Sequence, residues 1–291
     1  MNTSSNPVNL RNAIKNLDSL PALPLIAQKL LSLNIETEEG QRQMLALIEQ
    51  DPQILARVVG MANSPAIGAS RKISSISEAT VLLGINRIKT VATGMAMMSV
   101  KAKSKSGNFN LHDLWMHNLG IAFAMLAIGK AMPKANRPPD DSIFLAGMLH
   151  DIGYIALDYL DPVRSNELHT YQAAAPTRSA MDIERSLLDI CHDELGAELA
   201  RHWNLPGDII SVIRYHHVPD AADTPKDQPL IRMVYIAEKM LPSFGMSEQV
   251  ELGIQDSDWE ALHISPDKAE EILMQAAEQA DQAALFASSL G

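Results

Sequence analysis

Apolar residues recur at intervals of three and four positions through almost the whole chain, and this period constrains the fold more than any other feature. Residues 54–59 and 79–83 each match one apolar face of a helix. No segment shows the sustained alternation of β-branched and polar residues that is typical of a half-buried strand. Asp51-Pro52 and Ser75-Ile76-Ser77-Glu78 have the residue types favoured at helix N-termini. The sequence therefore predicts an all-α fold.

A polar, basic segment at 101–110 (KAKSKSGNFN) divides the helical pattern of the 291 residues. This length suits one large domain or two coupled lobes. We expect an N-terminal helical lobe at 10–105, a second helical lobe at 106–245 and an acidic helical tail at 246–291. Between 248 and 281 the tail has ten Asp and Glu against one Lys, yet it keeps an apolar stripe that includes Ile272 and Ala276. Its helices are therefore expected to dock on the body with a solvated acidic face.

The formal net charge of −11 disfavours a general nucleic-acid binder, because such proteins need an excess of Lys and Arg to neutralise phosphates. The one cysteine, Cys191, excludes an internal disulfide framework and is expected to be a small core residue. The N-terminus lacks the pattern of a signal peptide, and the longest nearly apolar stretch, residues 119–129, is shorter than the ~20 residues that span a bilayer. We expect a cytoplasmic protein with no membrane partner.

The strongest chemical signal is His150-Asp151, which ends the apolar run FLAGML at 144–149. Both groups are costly to bury without partners, and together they suit one metal ion or a pair of ions. A hydrogen-bonded polar pair at a helix end is the alternative interpretation. His117, His192 and His216-His217 also lie on helical patterns, and any one of them alone would be read most simply as a core residue. Ligand-type side chains carried on several helices are how metal sites in helical bundles are built.

Several motifs accompany these histidines in a fixed order. They are LPALP at 20–24, Asn63-Ser64, ISSISEA at 73–79 with LLG at 82–84, LWMH at 114–117, FLAGMLHDIG at 144–153, His192 with Gly196-Ala197, WNLP at 203–206 and His216-His217. Over about residues 17–218 the chain resembles the HDOD family, the HD-related output domains of bacterial signalling proteins. It resembles the HD and HD-GYP metal-dependent phosphohydrolases more distantly. The resemblance implies an HDOD fold, in which an N-terminal helical lobe packs on an HD-like helical bundle.

The resemblance also implies a metal site. The HD pattern of a first His, an HD pair and a distal carboxylate falls on His117, His150, Asp151 and Glu238. The additional histidines of the two-metal HD-GYP branch fall on His192, His216 and His217. The implied cofactor is one or two divalent ions of iron, manganese or zinc. Gly196, one turn after His192, is expected to let a second helix approach closely.

The chain departs from the HD-GYP pattern at three positions. Glu238 stands where the family usually has Asp, Tyr154 stands where HD-GYP proteins have Lys, and Val218-Pro219-Asp220 replaces Gly-Tyr-Pro. Tyr154 is expected either to support a metal ligand or to face a substrate. Glu184 precedes His192 by two helical turns; a solvated helix face is the preferred interpretation, and a role in orienting His192 is the alternative. Three further histidines are expected at the surface: His169, His202 and His263.

These patterns favour a bacterial signal-transduction or regulatory module with a His/Asp metal site and no efficient hydrolysis. Its expected partners are other signalling proteins or a small phosphorylated ligand. The alternative is a metal-dependent phosphohydrolase of the HD superfamily that acts on a small phosphate ester or phosphodiester. The regulatory interpretation is preferred because Tyr154 and Asp220 do not supply cations to the charge that develops on phosphate oxygens.

Overall fold

The computed structural model of the protein describes residues 9–16, 20–63, 67–103, 108–175, 178–241 and 253–288. Within these ranges every regular element is a helix, so the predicted all-α fold is confirmed. Ser64 and the proposed boundaries at 105 and 246 lie outside the described residues, and the division into lobes stays a prediction.

Sixteen α-helices lie in the described part of the chain. They are α1 (Leu10–Ala13), α2 (Leu25–Ser32), α3 (Glu38–Glu49), α4 (Pro52–Ala62), α5 (Ile76–Leu83), α6 (Ile85–Met97), α7 (Leu111–Ala131), α8 (Asp140–Leu149), α9 (Gly153–Leu160), α10 (Pro162–Ala174), α11 (Ala180–Leu188), α12 (His192–His202), α13 (Gly207–Tyr215), α14 (Pro229–Met240), α15 (Asp256–Glu260) and α16 (Ala269–Ser288). A 3₁₀ turn, Pro266–Lys268, precedes α16.

The local sequence sets the start of several helices. At α4 the Asp51 carboxylate accepts hydrogen bonds from the backbone N–H groups of Gln53 and Ile54. Pro52 occupies the first helical position, as predicted. At α5 the Ser75 hydroxyl accepts from the Glu78 N–H. The Glu78 carboxylate accepts from the N–H of Ser74, so the capping box predicted at Ser75 closes one residue earlier.

Helix α7 is the centre of the second group of helices. It is buried on nearly all sides from Leu114 to Gly129, and α8, α14 and α16 pack against it. By length and composition α7 and the stretch Asp140–Leu160 could cross a membrane, but 83% and 89% of their apolar windows are buried inside the fold. Packing in a protein core accounts for their apolar composition.

The N-terminal helices contact this group through α6, through the LPALP segment and through Arg11 of α1, which pairs with Glu194 of α12. Helices α2, α4 and α5 pack on α6, and α6 packs on α8. Trp203, which follows α12, donates its indole N–H to the carbonyl of Pro21, 2.8 Å away. The LPALP segment is thereby held against the second group of helices.

The acidic tail docks on the body through its apolar stripe. Helix α16 packs along α7 and buries Ile272 and Ala276, while Glu270 and Glu271 remain exposed. Trp259 of α15 is also buried. The structure thus agrees with the expected docking and solvated acidic face.

Candidate metal centre

Glycines bring the helices of the site into close contact. A Cβ on Gly147 would lie 2.4 Å from the Cα of Ala122, so α8 crosses α7 closely and carries His150 towards His117. A Cβ on Gly153 would lie 1.8 Å from the His192 carbonyl oxygen, and one on Gly196 would lie 3.0 Å from the Gly153 nitrogen. The close approach expected at Gly196 is therefore present, between α9 and α12.

The first group of ligand-type atoms forms where α7, the turn after α8 and α14 meet. The Nε2 of His150 lies 2.9 Å from a Glu238 oxygen and 3.3 Å from Asp151 Oδ2. The Nε2 of His117 lies 3.5 Å from the same Asp151 oxygen and 3.7 Å from Glu238 Oε1. These four side chains thus converge on one point between the helices.

The second group lies on the opposite oxygen of the same aspartate. Asp151 Oδ1 is 3.4 Å from Nε2 of His192 and 3.5 Å from Nε2 of His216. His217 Nε2 is 2.9 Å from His192 Nε2, and its Nδ1 is 3.6 Å from the Glu238 carboxylate. Asp151 therefore faces both groups, and in each group the candidate ligand atoms lie within 4.8 Å of one another.

Backbone and carboxylate acceptors orient three of the imidazole rings. The Nδ1 atoms of His150 and His216 donate to the carbonyls of Gly147 and Ile213, at 2.8 and 3.0 Å. The Nδ1 of His192 donates to Glu184. In its neutral form, each of these rings has a bare Nε2 lone pair pointing into the site.

When all the imidazoles are neutral, the convergent atoms are acceptors without donors. The Nε2 atoms of His117 and His150 are 3.3 Å apart, as are those of His192 and His216. In that state the carboxylate oxygens of Asp151 and Glu238 are buried without a hydrogen-bond donor, although such groups are almost always satisfied in folded proteins. Imidazole nitrogens and carboxylate oxygens are ligands of first-row transition metals, so the residues fit one or two divalent ions.

The two carboxylates of the first group favour a positive charge on the side chains or ions that lie between them. Burial alone would lower the pKa of His150, but Asp151 and Glu238 outweigh burial and raise that pKa to about 10. Burial alone would raise the pKa of Asp151, yet His150 and the other imidazoles hold it well below its usual range. Both carboxylates stay ionised, since the pKa of Glu238 is lowered in the same way by His117 and His150.

In the second group the pKa values of the histidines shift in the opposite direction. Burial and the neighbouring His217 lower the pKa of His216, and burial also lowers the pKa of His217. These imidazoles are neutral near pH 7, which is the protonation state that binds metals.

Glu184 and Tyr154 support His192 from the side opposite the site. Glu184 is fully buried and accepts hydrogen bonds of 2.8 Å from the ring and the backbone N–H of His192. Burial would raise the pKa of Glu184, but His192 and the Tyr154 hydroxyl lower it. The solvated face preferred for Glu184 is therefore wrong, and the alternative, in which Glu184 orients His192, agrees with this geometry.

Tyr154 does not face a substrate. Its ring is fully buried and stacks on the His192 ring with a centroid distance of 4.5 Å. Its hydroxyl donates to Glu184 at 2.8 Å. The substrate-side alternative for this residue is therefore wrong in this structure, because the hydroxyl points away from the two ligand groups.

His169 is buried, so its predicted surface position is wrong. Its ring stacks on Phe109 at 4.9 Å, contacts the Tyr154 ring at 5.2 Å and is 6% exposed. Burial lowers the pKa of His169 to about 4. The buried spacing of Ser165, Leu168 and His169 is a helical stripe, which was the sequence signal available for this position.

Comparison with known proteins identifies the family. Residues 20–219 match the HDOD domain family. The chain belongs to the HDOD family. Among curated proteins it is 28% identical over 229 residues to an uncharacterized protein of Treponema pallidum, covering 76% of this chain. The chain spans 42% of the length of that relative.

Solved structures show the same fold. An HDOD domain protein of unknown function from Geobacter sulfurreducens is 24% identical with a TM-score of 0.71, and 97% of each chain is covered. A candidate signal transduction protein from Marinobacter aquaeolei is 22% identical with a TM-score of 0.77, covering 97% of this chain and 65% of the other. A candidate metal-dependent phosphohydrolase from Shewanella amazonensis is 20% identical with a TM-score of 0.63, covering 94% and 97%.

One ligand-type residue of this HDOD protein lies beyond the matched stretch. Glu238 is on α14, after residue 219, and α14 packs on α7, which carries His117. The segment that follows the family match therefore contributes to the candidate metal centre.

The candidate metal centre is almost fully buried. The exposed fractions are 6% for Glu238, 3% for His117, 1% for His192 and zero for His150, Asp151 and His216, while the His217 side chain is 4% exposed. Four clefts on the described surface are lined by other residues. The space between the ligand-type atoms could hold a small ion within the helical core.

Proposed function

We propose that this HDOD protein is a regulatory signalling module whose helix packing depends on a buried metal centre. The burial of all seven ligand-type side chains supports this proposal. A hydrolase must admit a substrate to its metal, whereas a regulatory centre needs only to hold its helices together. Partners would then recognise the surface of helices whose arrangement the centre fixes.

The proposed ligands divide into two sets joined by Asp151. His117, His150 and Glu238 would hold one ion with Asp151 Oδ2, and the other three histidines would hold a second ion with Oδ1. This mixture of imidazole and carboxylate suits iron, manganese or zinc. When bound, the ions would supply the positive charge that the buried carboxylates and Nε2 lone pairs need.

A metal-dependent phosphohydrolase is the second candidate function. The position of Asp151 between the two groups favours it, because two-metal hydrolases use a carboxylate that faces both ions. Tyr154 argues against efficient catalysis, since its hydroxyl is engaged by Glu184. We therefore expect cyclic di-nucleotide hydrolysis to be absent or very weak, because the phosphate oxygens would lack a cation at this position.

Hydrogen exchange and turnover measurements together test the proposal. Metal-loaded protein should show slower amide exchange in α12 and α13 than protein treated with a chelator, and His150→Ala should abolish the difference. Cyclic di-GMP with Mn²⁺ should give no turnover near ~1 s⁻¹, the low end of typical enzymes. Exchange that is unchanged by metal would contradict the regulatory proposal. Steady turnover that is lost in His150→Ala would instead support the hydrolase.

A further inference from the structure

A cleft with an excess of basic side chains lies between the N-terminal helix α1 and the helices α12 and α13. Its volume is about 240 Å³. Four basic and two acidic side chains line it: Arg11, Lys15, Arg201, Arg214, Glu194 and Glu198. This excess of two positive charges is confined to the side chains that line the cleft, because Asp189 and Asp193 pair with Arg11 and Arg214 from outside it. With these two carboxylates included, the region of the cleft is close to neutral in a chain whose net charge is −11.

Each arginine of the cleft is paired with a carboxylate that uses only part of its N–H donors. Arg11 gives two hydrogen bonds to Glu194. Arg201 gives one to Glu198, and Arg214 gives one to Asp193, which is 1% exposed. A guanidinium carries five N–H donors in a planar fork, so each arginine keeps donors for a second anion. Lys15 forms no ion pair with a described residue.

We propose that this cleft binds a small phosphorylated molecule through its phosphate or diphosphate group. The tetrahedral oxygens of a phosphoryl group accept hydrogen bonds from several directions, and the donors here come from α1, α12 and α13. The apolar side chains of Ile14 and Ile190 also line the cleft and reduce its contact with water. The cleft is smaller than typical pockets for whole organic ligands, so the remainder of the ligand would extend outside.

The position of the cleft connects it to the metal centre. His192 is the first residue of α12, whose later turns carry Glu194, Glu198 and Arg201. Arg214 lies on α13, and His216 directly follows that helix. A phosphate that draws α1 towards these helices would act on two helices that position ligand-type residues. The regulatory role rests on the proposed function, but the binding itself does not require metal.

Calorimetric titration of the full chain with pyrophosphate tests the proposal. Arg201→Ala should weaken pyrophosphate binding about fivefold, because it removes one exposed positive charge from the cleft. Glu198→Gln should strengthen binding by a similar factor, because it removes one exposed negative charge. The pair Arg42 and Glu39 on α3 is a matched control, because it has the same spacing and is exposed outside the cleft. Arg42→Ala and Glu39→Gln should leave the affinity unchanged.

Chelator-treated protein separates this proposal from the metal centre. Pyrophosphate affinity that is retained without metal and is sensitive to Arg201→Ala would support the cleft, even if the regulatory role of the metal were wrong. Affinity that is lost on chelation and in His150→Ala, but unchanged in Arg201→Ala, would place the phosphate at the metal centre and overturn the proposal. Citrate that binds as tightly as pyrophosphate would show that the cleft does not prefer phosphoryl groups. Equal pyrophosphate affinity in all the variants would show that this cleft is not the binding site.

Discussion

Replacing Glu184 by glutamine should weaken metal binding while preserving the shape of the side chain. Glu184 accepts three hydrogen bonds of 2.8 Å, two from His192 and one from Tyr154. Glutamine keeps one oxygen and presents an NH₂ group to donors that then lack an acceptor. Leaving a buried donor unsatisfied costs about 1–3 kcal/mol of unfolding free energy. Loss of the carboxylate on a ligating histidine typically costs 10–100-fold in metal affinity, or about 1.4–2.7 kcal/mol.

Two measurements separate these effects. Competition with a chelator gives the metal affinity, and urea unfolding of metal-free protein gives the stability. Tyr154→Phe removes one donor to Glu184 but leaves both bonds to His192, so it should lower stability by about 1 kcal/mol with a much smaller change in affinity. Glu198→Gln, at an exposed position on the helix of His192, is the control. Wild-type metal affinity in Glu184→Gln would refute the argument that this carboxylate orients His192.

Three further predictions concern packing and pH. Gly153→Ala should abolish metal binding by forcing α9 from α12, as measured by metal content, whereas Gly207→Ala, with no atom within 4 Å of the added Cβ, should not. Ile272→Ala should lower the unfolding free energy by about 2–5 kcal/mol in urea, and exposed Met274→Ala by less than about 0.5, if α16 is part of the core. His169 has a pKa of about 4 when folded and 6.5 otherwise, so the unfolded state takes up a proton first as pH falls. The free energy of unfolding should therefore drop by about 3 kcal/mol between pH 7 and pH 4, as measured by urea titrations at each pH. A His169→Phe variant with an equally steep drop would show that the lowered pKa of His169 is not its cause.

The sequence predicted the helices well where the chain carries its own start signals. Asp51-Pro52 begins α4 as expected, and the stripe of Ile272 and Ala276 predicted the docking of the tail. Helix α7 is different, because it is apolar on nearly all sides. A pattern of that kind predicts burial but does not say which helices surround it.

The candidate ligands were found from motif order, whereas their supporting residues were partly missed. Glu184 lies on a helix whose polar side chains are equally compatible with solvent, and only the contact with His192 distinguishes it. His169 lies near Ser165 and Gln172, so its buried stripe is polar enough to resemble a surface. Tyr154 was placed beside the site correctly, but the direction of its hydroxyl depends on α11, which packs on α10. Such contacts between distant segments are not encoded in local periodicity.

Elemental analysis of protein purified without chelator tests the central claim most directly. We expect between one and two equivalents of iron, manganese or zinc per chain. Asp151→Asn, which alters the carboxylate facing both ligand groups, should remove most of this metal. A chain with only trace metal, and with the same melting temperature before and after addition of these cations, would show that the histidines and carboxylates form a hydrogen-bonded core and would contradict the account.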